Sequence, residues 1–403
     1  MRGGLADVLH LCVAVGIFAS VACYVAGYWE ARRFFGRRRR VNGRTGGEKT
    51  LPAVTLLKPL KGLDAELHSN LSTFCGQEYP TFQIVFGVAD GADPAVQVVR
   101  RLQAEFPAVD IDLVIDSRVY GSNYKVSNLH NMYAAAQHDI ILIADSDIRV
   151  PPDYLRRVVA EFEDPQVGLV TCLYRAVPTG GLPTVVEALC VNTDFVPMVM
   201  VARVVEKPSY AFGSTMAMPR AVLDDIGGFL PLANYLADDY QLGHRIAARG
   251  RRLALSDVVV ETIMTTRTWR GLFEHQLRWA RSQRICRPGG YFGSVVTHGT
   301  LWASVNLLSR HGSASAVTLA VLVYGLRMVT ASAICNRYLH ARLSFAQALL
   351  VPLKDLFASA LWLLSFLGNT VQWGGQRFRV MRDGQMAPVS PAVPAAAGPR
   401  YEP

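Results

Sequence analysis

Three features predict an α/β domain, with a mixed, mostly parallel sheet, held between membrane segments. Short apolar runs alternate with helical stretches from Leu51 onward. One of those runs ends in paired aspartates, and long uncharged segments stand towards both ends of the chain. Strand–helix alternation implies parallel strands joined by right-handed crossovers. With 51% hydrophobic residues in 403 and a mean hydropathy of +0.20, part of the chain is expected in lipid.

Residues 11–29 carry no charge, a run long enough to span a bilayer as a helix, so 1–31 reads as an N-terminal transmembrane anchor. Residues 32–50 form a basic linker. Between Glu30 and Thr50 eight Lys/Arg face two acidic residues, which supplies +6 of the net +9. The excess therefore describes a collar and not a basic surface. It follows an apolar run and lacks interleaved aromatics, so anionic lipid is the expected partner and nucleic acid is not. Positive charge on that side places the following chain in the cytoplasm. A cleaved signal peptide would have its charge before the apolar run. Seven scattered cysteines without a C-x-x-C pair argue against a disulfide framework and a structural zinc site.

The α/β domain is assigned to 51–290. Strands are expected at 53–57, 82–88, 111–115, 140–143, 167–173 and 210–218. Helices are expected at 63–74, 94–105, 125–137, 152–162 and 240–248, with a long apolar helix over 183–205. Apolar runs at 295–308, 316–335, 345–351 and 356–373 give two to three further membrane segments within 291–375. Pro352, Lys354 and Asp355 break the last pair, and Arg327 interrupts the second run. The tail 376–403 is expected to be cytoplasmic, with its last fifteen or so residues disordered.

The chemistry centres on IILIADSDIRV, 140–150. Four consecutive apolar residues suit a strand buried on both faces. Asp145 and Asp147 lie two apart in extended chain, so both carboxylates can face one point at the strand's carboxyl end. Two hard oxygen ligands there suit Mg²⁺ or Mn²⁺ arriving with substrate phosphates; the alternative is a polar turn before a helix. Asp90 ends a neighbouring apolar run and can line the same crevice or serve as a turn residue. Lys125 and Asn128 stand at a helix start, where phosphate is attracted. Asp238 and Asp239 open a helix, either as dipole partners or, for Asp239, as a general base. Arg278 can bind a diphosphate, and Trp279 offers a flat apolar face to a sugar or lipid; the alternative is a surface arginine and an interfacial tryptophan beside the lipid-facing segments that follow.

Taken together and in order, LLKPLKGLD (56–64), GVADGADPA (87–95), KVSNL (125–129), ADSDIRV (144–150), GGF (227–229), ADDY (237–240) and LRWAR (277–281) give the chain a resemblance. It resembles membrane glycosyltransferases of the glucosylceramide synthase type, in the inverting GT-A superfamily with its Rossmann-like sheet. The resemblance runs from the first span to WGGQRFR (373–379). It implies that Asp90 helps to hold the nucleotide and that Asp145 with Asp147 holds the metal and UDP-sugar. Lys125, Asn128 and the 57–62 turn would border the uridine and phosphates. Asp239 would be the base, while Arg278 and Trp279 would close over diphosphate and acceptor. His275 departs from the Gln or Arg usual three positions before the Arg-Trp pair. RPGGY (287–291) and the ADDY and LRWAR wording look most like the bacterial, hopanoid-associated branch, which implies an inner-membrane enzyme adding N-acetylglucosamine to a polyhydroxylated hopanoid. The expected reaction is single displacement from a UDP-sugar to a membrane lipid acceptor within the lipid bilayer. A processive polysaccharide synthase and a non-catalytic membrane scaffold are the alternatives.

Overall fold

The computed structural model describes residues 2–41, 51–266 and 268–389. Of the linker expected at 32–50, residues 32–41 continue the first helix, Arg2–Val41, while residues 42–50 and the tail from 390 lie outside the described residues. The sheet order is β3-β2-β1-β4-β7-β6-β8-β5, where β1 is Val54–Pro59, β2 Phe82–Val88, β3 Asp110–Ile115, β4 Ile140–Ile143, β5 Ile148–Arg149, β6 Val167–Pro178, β7 Met216–Pro219 and β8 Arg252–Met264. Strands β3, β2, β1 and β4 run parallel. Strand β7 enters antiparallel between β4 and β6, and β6 pairs β8 in parallel. This is the mixed, mostly parallel sheet expected from the sequence. Helices cover both faces, and two apolar cores result. One packs Leu56, Phe74, Ile84, Phe86 and Leu142 beneath the sheet, and the other packs Leu57, Val85, Leu129, Ile141 and Ile143 above it. Alternate residues of β1 and β4 thus serve opposite cores, as a strand buried on both faces requires.

Several local expectations are corrected. The strand expected over 210–218 reduces to Met216–Pro219 plus a single Phe212–Thr215 bridge, because residues 210–214 turn past the acidic crevice. The thirteen-residue β8 was not anticipated. The apolar runs 345–351 and 356–373 form one helix, Phe345–Ser365, continuous through Pro352; neighbouring helices can satisfy the backbone groups that a proline frees in an apolar setting. Beyond it the chain leaves helical geometry, and β9 (Thr370–Trp373), β10 (Gln376–Val380) and β11 (Met386–Pro388) form a small antiparallel sheet.

Among the described residues four helices are long and apolar enough to cross a membrane: Asp7–Gly36, Leu182–Val205, Ala314–Leu339 and Phe345–Ser365. The expected run at 295–308 yields an eleven-residue helix, Gly299–Ser309, too short to cross. Leu182–Val205 differs from the rest in having 56% of its most apolar stretch inside the protein, against 22% for Asp7–Gly36. It is therefore as much core as membrane element.

The charges that interrupt the apolar runs find one another. Arg327 donates to Asp194 at 2.6 Å and to Asp355 at 2.9 Å, while Lys354 reaches Asp194 at 2.6 Å. Thr300 also donates to Asp355 at 2.8 Å. Two cations and two anions thus tie Leu182–Val205 to the spans at Ala314–Leu339 and Phe345–Ser365, far from water that would compete for them. Replacing Asp355 by Ala leaves two buried cations sharing one carboxylate and should cost about 3–5 kcal/mol. A lowered unfolding temperature in detergent, against no change for the lipid-facing Val321→Ala, would register it.

Candidate active site

The acidic residues gather where β4 ends. Its last apolar residue is Ile143, and Asp145 follows at the mouth of the crevice with its side chain 38% exposed. Lys125 lies in the first turn of the helix Tyr124–Tyr133, whose N-cap Asn123 accepts from the Val126 N–H. Its ammonium sits 2.7 Å from Asp145 Oδ1 and 3.1 Å from Asp238 Oδ2. Burial disfavours that charge, yet Asp145 and Asp238 hold the lysine above its ordinary pKa. Asp147 lies deeper. Its Oδ2 accepts from Thr262 on β8 at 3.0 Å, and burial, then the neighbouring Asp145 charge, raise its carboxyl to about 6.

Asp239 opens the helix Asp238–Ala248. Its Oδ2 accepts the Gly213 N–H at 3.0 Å and its Oδ1 the Tyr240 N–H at 2.7 Å. Gly213 is what lets Asp239 and Asp145 approach a common point. A Cβ there would lie 2.8 Å from Asp145 Oδ2 and 3.6 Å from Asp239 Oδ2, so any side chain would intrude between the two carboxylates. Burial, and then Asp238, raise the Asp239 carboxyl to about 6. A group so poised gains and loses its proton near neutral pH, as a general base must.

Lys58 is a further member that the sequence did not single out. It occupies the buried end of β1, with no exposed surface. Its ammonium donates to the Asp145 carbonyl at 2.7 Å and lies 3.6 Å from the centre of the Phe74 ring. Burial lowers its pKa to about 7, against the pull of Asp145 and Asp147. The only signal in the sequence was a lysine inside an otherwise apolar strand, VTLLKP.

Other candidates stand differently. Asn128 spends its amide N–H on the Gly87 carbonyl at 2.7 Å, which ties its helix to the end of β2; its buried side-chain oxygen has no protein partner. Asp90 is exposed, and its carboxylate accepts the Ala92 N–H at 2.9 Å, the local turn contact that its surroundings allowed. Arg278 and Trp279 lie on the helix Trp269–Cys286. Trp279 packs with Ala176, Ala188, Val191 and Met264, and burial lowers the Arg278 pKa against the attraction of Glu187. His275 hydrogen-bonds Glu187, which is fully buried on Leu182–Val205, and its ring tilts against Trp279 at 4.5 Å. The side chain that departs from the usual motif therefore braces the tryptophan from behind.

Tyr174 joins the two halves. It packs with the Trp279 cluster, and burial, then Asp239, Asp147 and Asp145, push its hydroxyl pKa up. At the far end of the Trp269–Cys286 helix, burial and then Asp239 raise the Cys286 thiol to about 12. Among the described residues no group of three or more His, Cys, Asp or Glu is arranged to hold a metal. Two carboxylates, Asp145 and Asp147, nonetheless suit a hard divalent cation that takes its remaining ligands from donor phosphates and water.

Comparison with known proteins gives matching relatives. Over 399 residues the chain is 24% identical to ceramide glucosyltransferase 3 of Caenorhabditis elegans, covering 95% of this chain and 84% of that one. It is 28% identical over 224 residues to ceramide glucosyltransferase 1 of the same organism, covering 55% of this chain and about half (48%) of the relative. A mannosyltransferase from Pyrobaculum calidifontis, solved with GDP-Man and Mn²⁺, superposes with a TM-score of 0.49 at 20% identity, over 87% of this chain and 98% of that one. The profile of glycosyl transferase family 21 matches residues 12–386, and the chain, a glycosyltransferase, belongs to that family.

Proposed function

We propose that the protein transfers glucose or N-acetylglucosamine from a UDP-sugar to a hydroxyl of a ceramide- or hopanoid-type membrane lipid, inverting the anomeric centre. The observation that carries this reading is the approach of Asp239 and Asp145 across the Gly213 backbone. It sets a proton acceptor beside the carboxylate at the donor end of β4. The acceptor oxygen attacks the anomeric carbon as the bond to the UDP oxygen breaks, and the hydroxyl proton passes to Asp239. UDP leaves with the bonding pair. No carboxylate nucleophile is required, in contrast to a retaining glycosidase.

Asp145 and Asp147 would hold Mg²⁺ or Mn²⁺, which supplies Lewis-acid stabilisation of the departing diphosphate. Lys125, already on Asp145 and Asp238, would meet the same developing charge, and Arg278 would add a second cation to it. Trp279 and Tyr174 exclude water from the sugar's far side. Asp90 and Asn128 border the nucleotide from the end of β2. A lipid hydroxyl stays near the headgroup plane, so the four apolar helices are what bring acceptor and crevice together. The basic excess at 32–50 supports a catalytic part on the cytoplasmic side of its membrane, and a bacterial inner membrane belongs to the hopanoid form of this reading.

Membranes containing the protein, offered labelled UDP-glucose or UDP-N-acetylglucosamine with ceramide or bacteriohopanetetrol, should yield one labelled lipid. Labelled polymer, or no label with any pair, would overturn the assignment. Asp239→Asn should retain UDP-sugar binding in the presence of Mn²⁺ while transfer falls by roughly 10²–10⁴-fold; turnover at the wild-type rate would remove Asp239 from the mechanism. The pH dependence follows from the raised carboxyl. Below about pH 6 Asp239 is protonated and cannot take the acceptor proton, so kcat/KM should fall roughly tenfold per unit on that side. Above it the base is ionised and the profile levels. An acid limb unchanged in position in Asp239→Glu and wild type alike, and centred near pH 4, would contradict it.

A further inference from the structure

The sheet β9–β11 leaves the last apolar helix and returns to the catalytic domain at a particular place. The Met386 N–H donates to the Asn234 carbonyl at 2.7 Å, and the Leu236 N–H to the Gly384 carbonyl at 3.3 Å. Ser122 donates from its hydroxyl to the Met386 carbonyl at 3.0 Å. Phe378, Val380, Met386 and Val371 enclose Leu236 in an apolar cluster, with Ile285 packed against it. Arg281 donates to the Thr370 carbonyl, and Arg284 to the Gly368 carbonyl at 3.1 Å. The sheet therefore touches three segments at once: the chain entering the Lys125 helix, the loop entering Asp238 and Asp239, and the helix bearing Arg278 and Trp279.

The first two of these segments are also sewn to each other. The Asn123 N–H donates to the Ala233 carbonyl at 2.8 Å, its side-chain amide donates to the Tyr235 carbonyl at 2.8 Å, and the Ser122 N–H donates to Asn234 Oδ1 at 3.0 Å. Gly121 permits this approach, since a Cβ there would fall 2.4 Å from the Ala233 carbonyl oxygen. Asn123 is fully buried and does two jobs: its Oδ1 caps the Lys125 helix and its Nδ2 grips the Asp239 loop. Asn234 likewise holds Met386 through its backbone and Ser122 through its side chain.

We infer that β9–β11 and the Asn123–Asn234 knot beneath it are a positioning device for the reaction, setting the distance between Lys125 and Asp239 and tying both to the Arg278 helix and the last apolar helix. This rests on the functional reading above. None of these residues touches the reacting atoms; they act through the groups that do. An error of about 1 Å in the placement of such groups costs on the order of 10²-fold in rate, so a three-way brace has a kinetic consequence distinct from its contribution to folding.

The test uses full-length variants in membranes. Asn234→Ala removes the Ser122 acceptor, whereas Asn234→Asp keeps it. Asn123→Ser keeps a helix cap but loses the grip on Tyr235. Asn234→Ala and Asn123→Ser should lower kcat roughly 10- to 100-fold with donor KM within about threefold of wild type, and Asn234→Asp should restore most of the rate. Amide exchange at Ser122, Leu236 and Met386 should quicken in Asn234→Ala alone of the two position-234 variants. An unchanged kcat in Asn234→Ala and Asn123→Ser would overturn the inference. So would a parallel loss of kcat, donor binding and unfolding temperature, which marks support of the fold only. If wild-type protein transfers no sugar, the functional reading fails by itself, and the exchange pattern still decides whether the knot and sheet move as one.

Discussion

The crevice at the end of β4 collects four carboxylates, Asp145, Asp147, Asp238 and Asp239, and their mutual repulsion is the constraint around which the rest is arranged. Only two of them have a lysine in direct contact: Lys125 bridges Asp145 and Asp238. Asp147 and Asp239 instead carry carboxyls raised to about 6 by burial and by a charged neighbour. Lys58 answers the remaining charge from below, through the Asp145 carbonyl, at the expense of a fully buried ammonium whose pKa falls to about 7. An arrangement with so much uncompensated negative charge is poor for stability and well suited to capturing cations and the phosphates that accompany them. The two lysines keep it folded in the meantime.

Closeness in the crevice is achieved by backbone as much as by side chains. Asp239 reaches the common point because its helix begins there and because Gly213 offers an N–H without a Cβ. Tyr174 then conveys the geometry of β6 to the Arg-Trp helix, since its ring packs with the Trp279 cluster while its hydroxyl senses three of the four aspartates. His275, held by Glu187, packs its ring against Trp279. A histidine in that position is thus compatible with the same architecture, provided that a buried acid faces it.

What could be read from the chain and what could not divides along physical lines. IILI followed by Asp-x-Asp was legible because a strand buried on both faces has no polar interruptions and ends where ligands bind. Asp239 and Lys125 were legible as candidates because both stand at helix starts. Strand β8 was not, because it alternates burial irregularly, is interrupted by a shift of register near Ser256, and carries three polar residues whose partners are distant in sequence: Asp257 meets Arg157, Glu261 and Thr262 pair with β5, and Thr262 also serves Asp147. Lys58 escaped notice because a buried lysine depends on partners distant in sequence, Asp145 and Phe74. The sheet β9–β11 was hidden because its first strand closes an apolar run ending at 373 and the other two lie in what read as a tail. Its strands are three to five residues long, and its apolar side shows only when Leu236 is laid against it. Arg327, Lys354 and Asp355 read as interruptions of apolar runs because each was seen without the others.

The ion cluster they form reaches further than anchoring. Asp194 belongs to a single π-helical segment, Val191–Phe195, inside the Leu182–Val205 helix, a wide turn of the kind that often marks functional places. Successive residues on that turn point in different directions. Asp194 meets Arg327 and Lys354 among the spans, while Phe195 stacks on Tyr174 with ring centres 4.0 Å apart and meets Phe212 edge-on at 4.8 Å. Phe212 precedes Gly213, the residue between Asp145 and Asp239. The same turn is therefore held by the membrane helices on one side and forms the wall of the crevice on the other. Packed interiors transmit strain, and this turn is a continuous run of packed side chains from the spans to the residue beside Gly213.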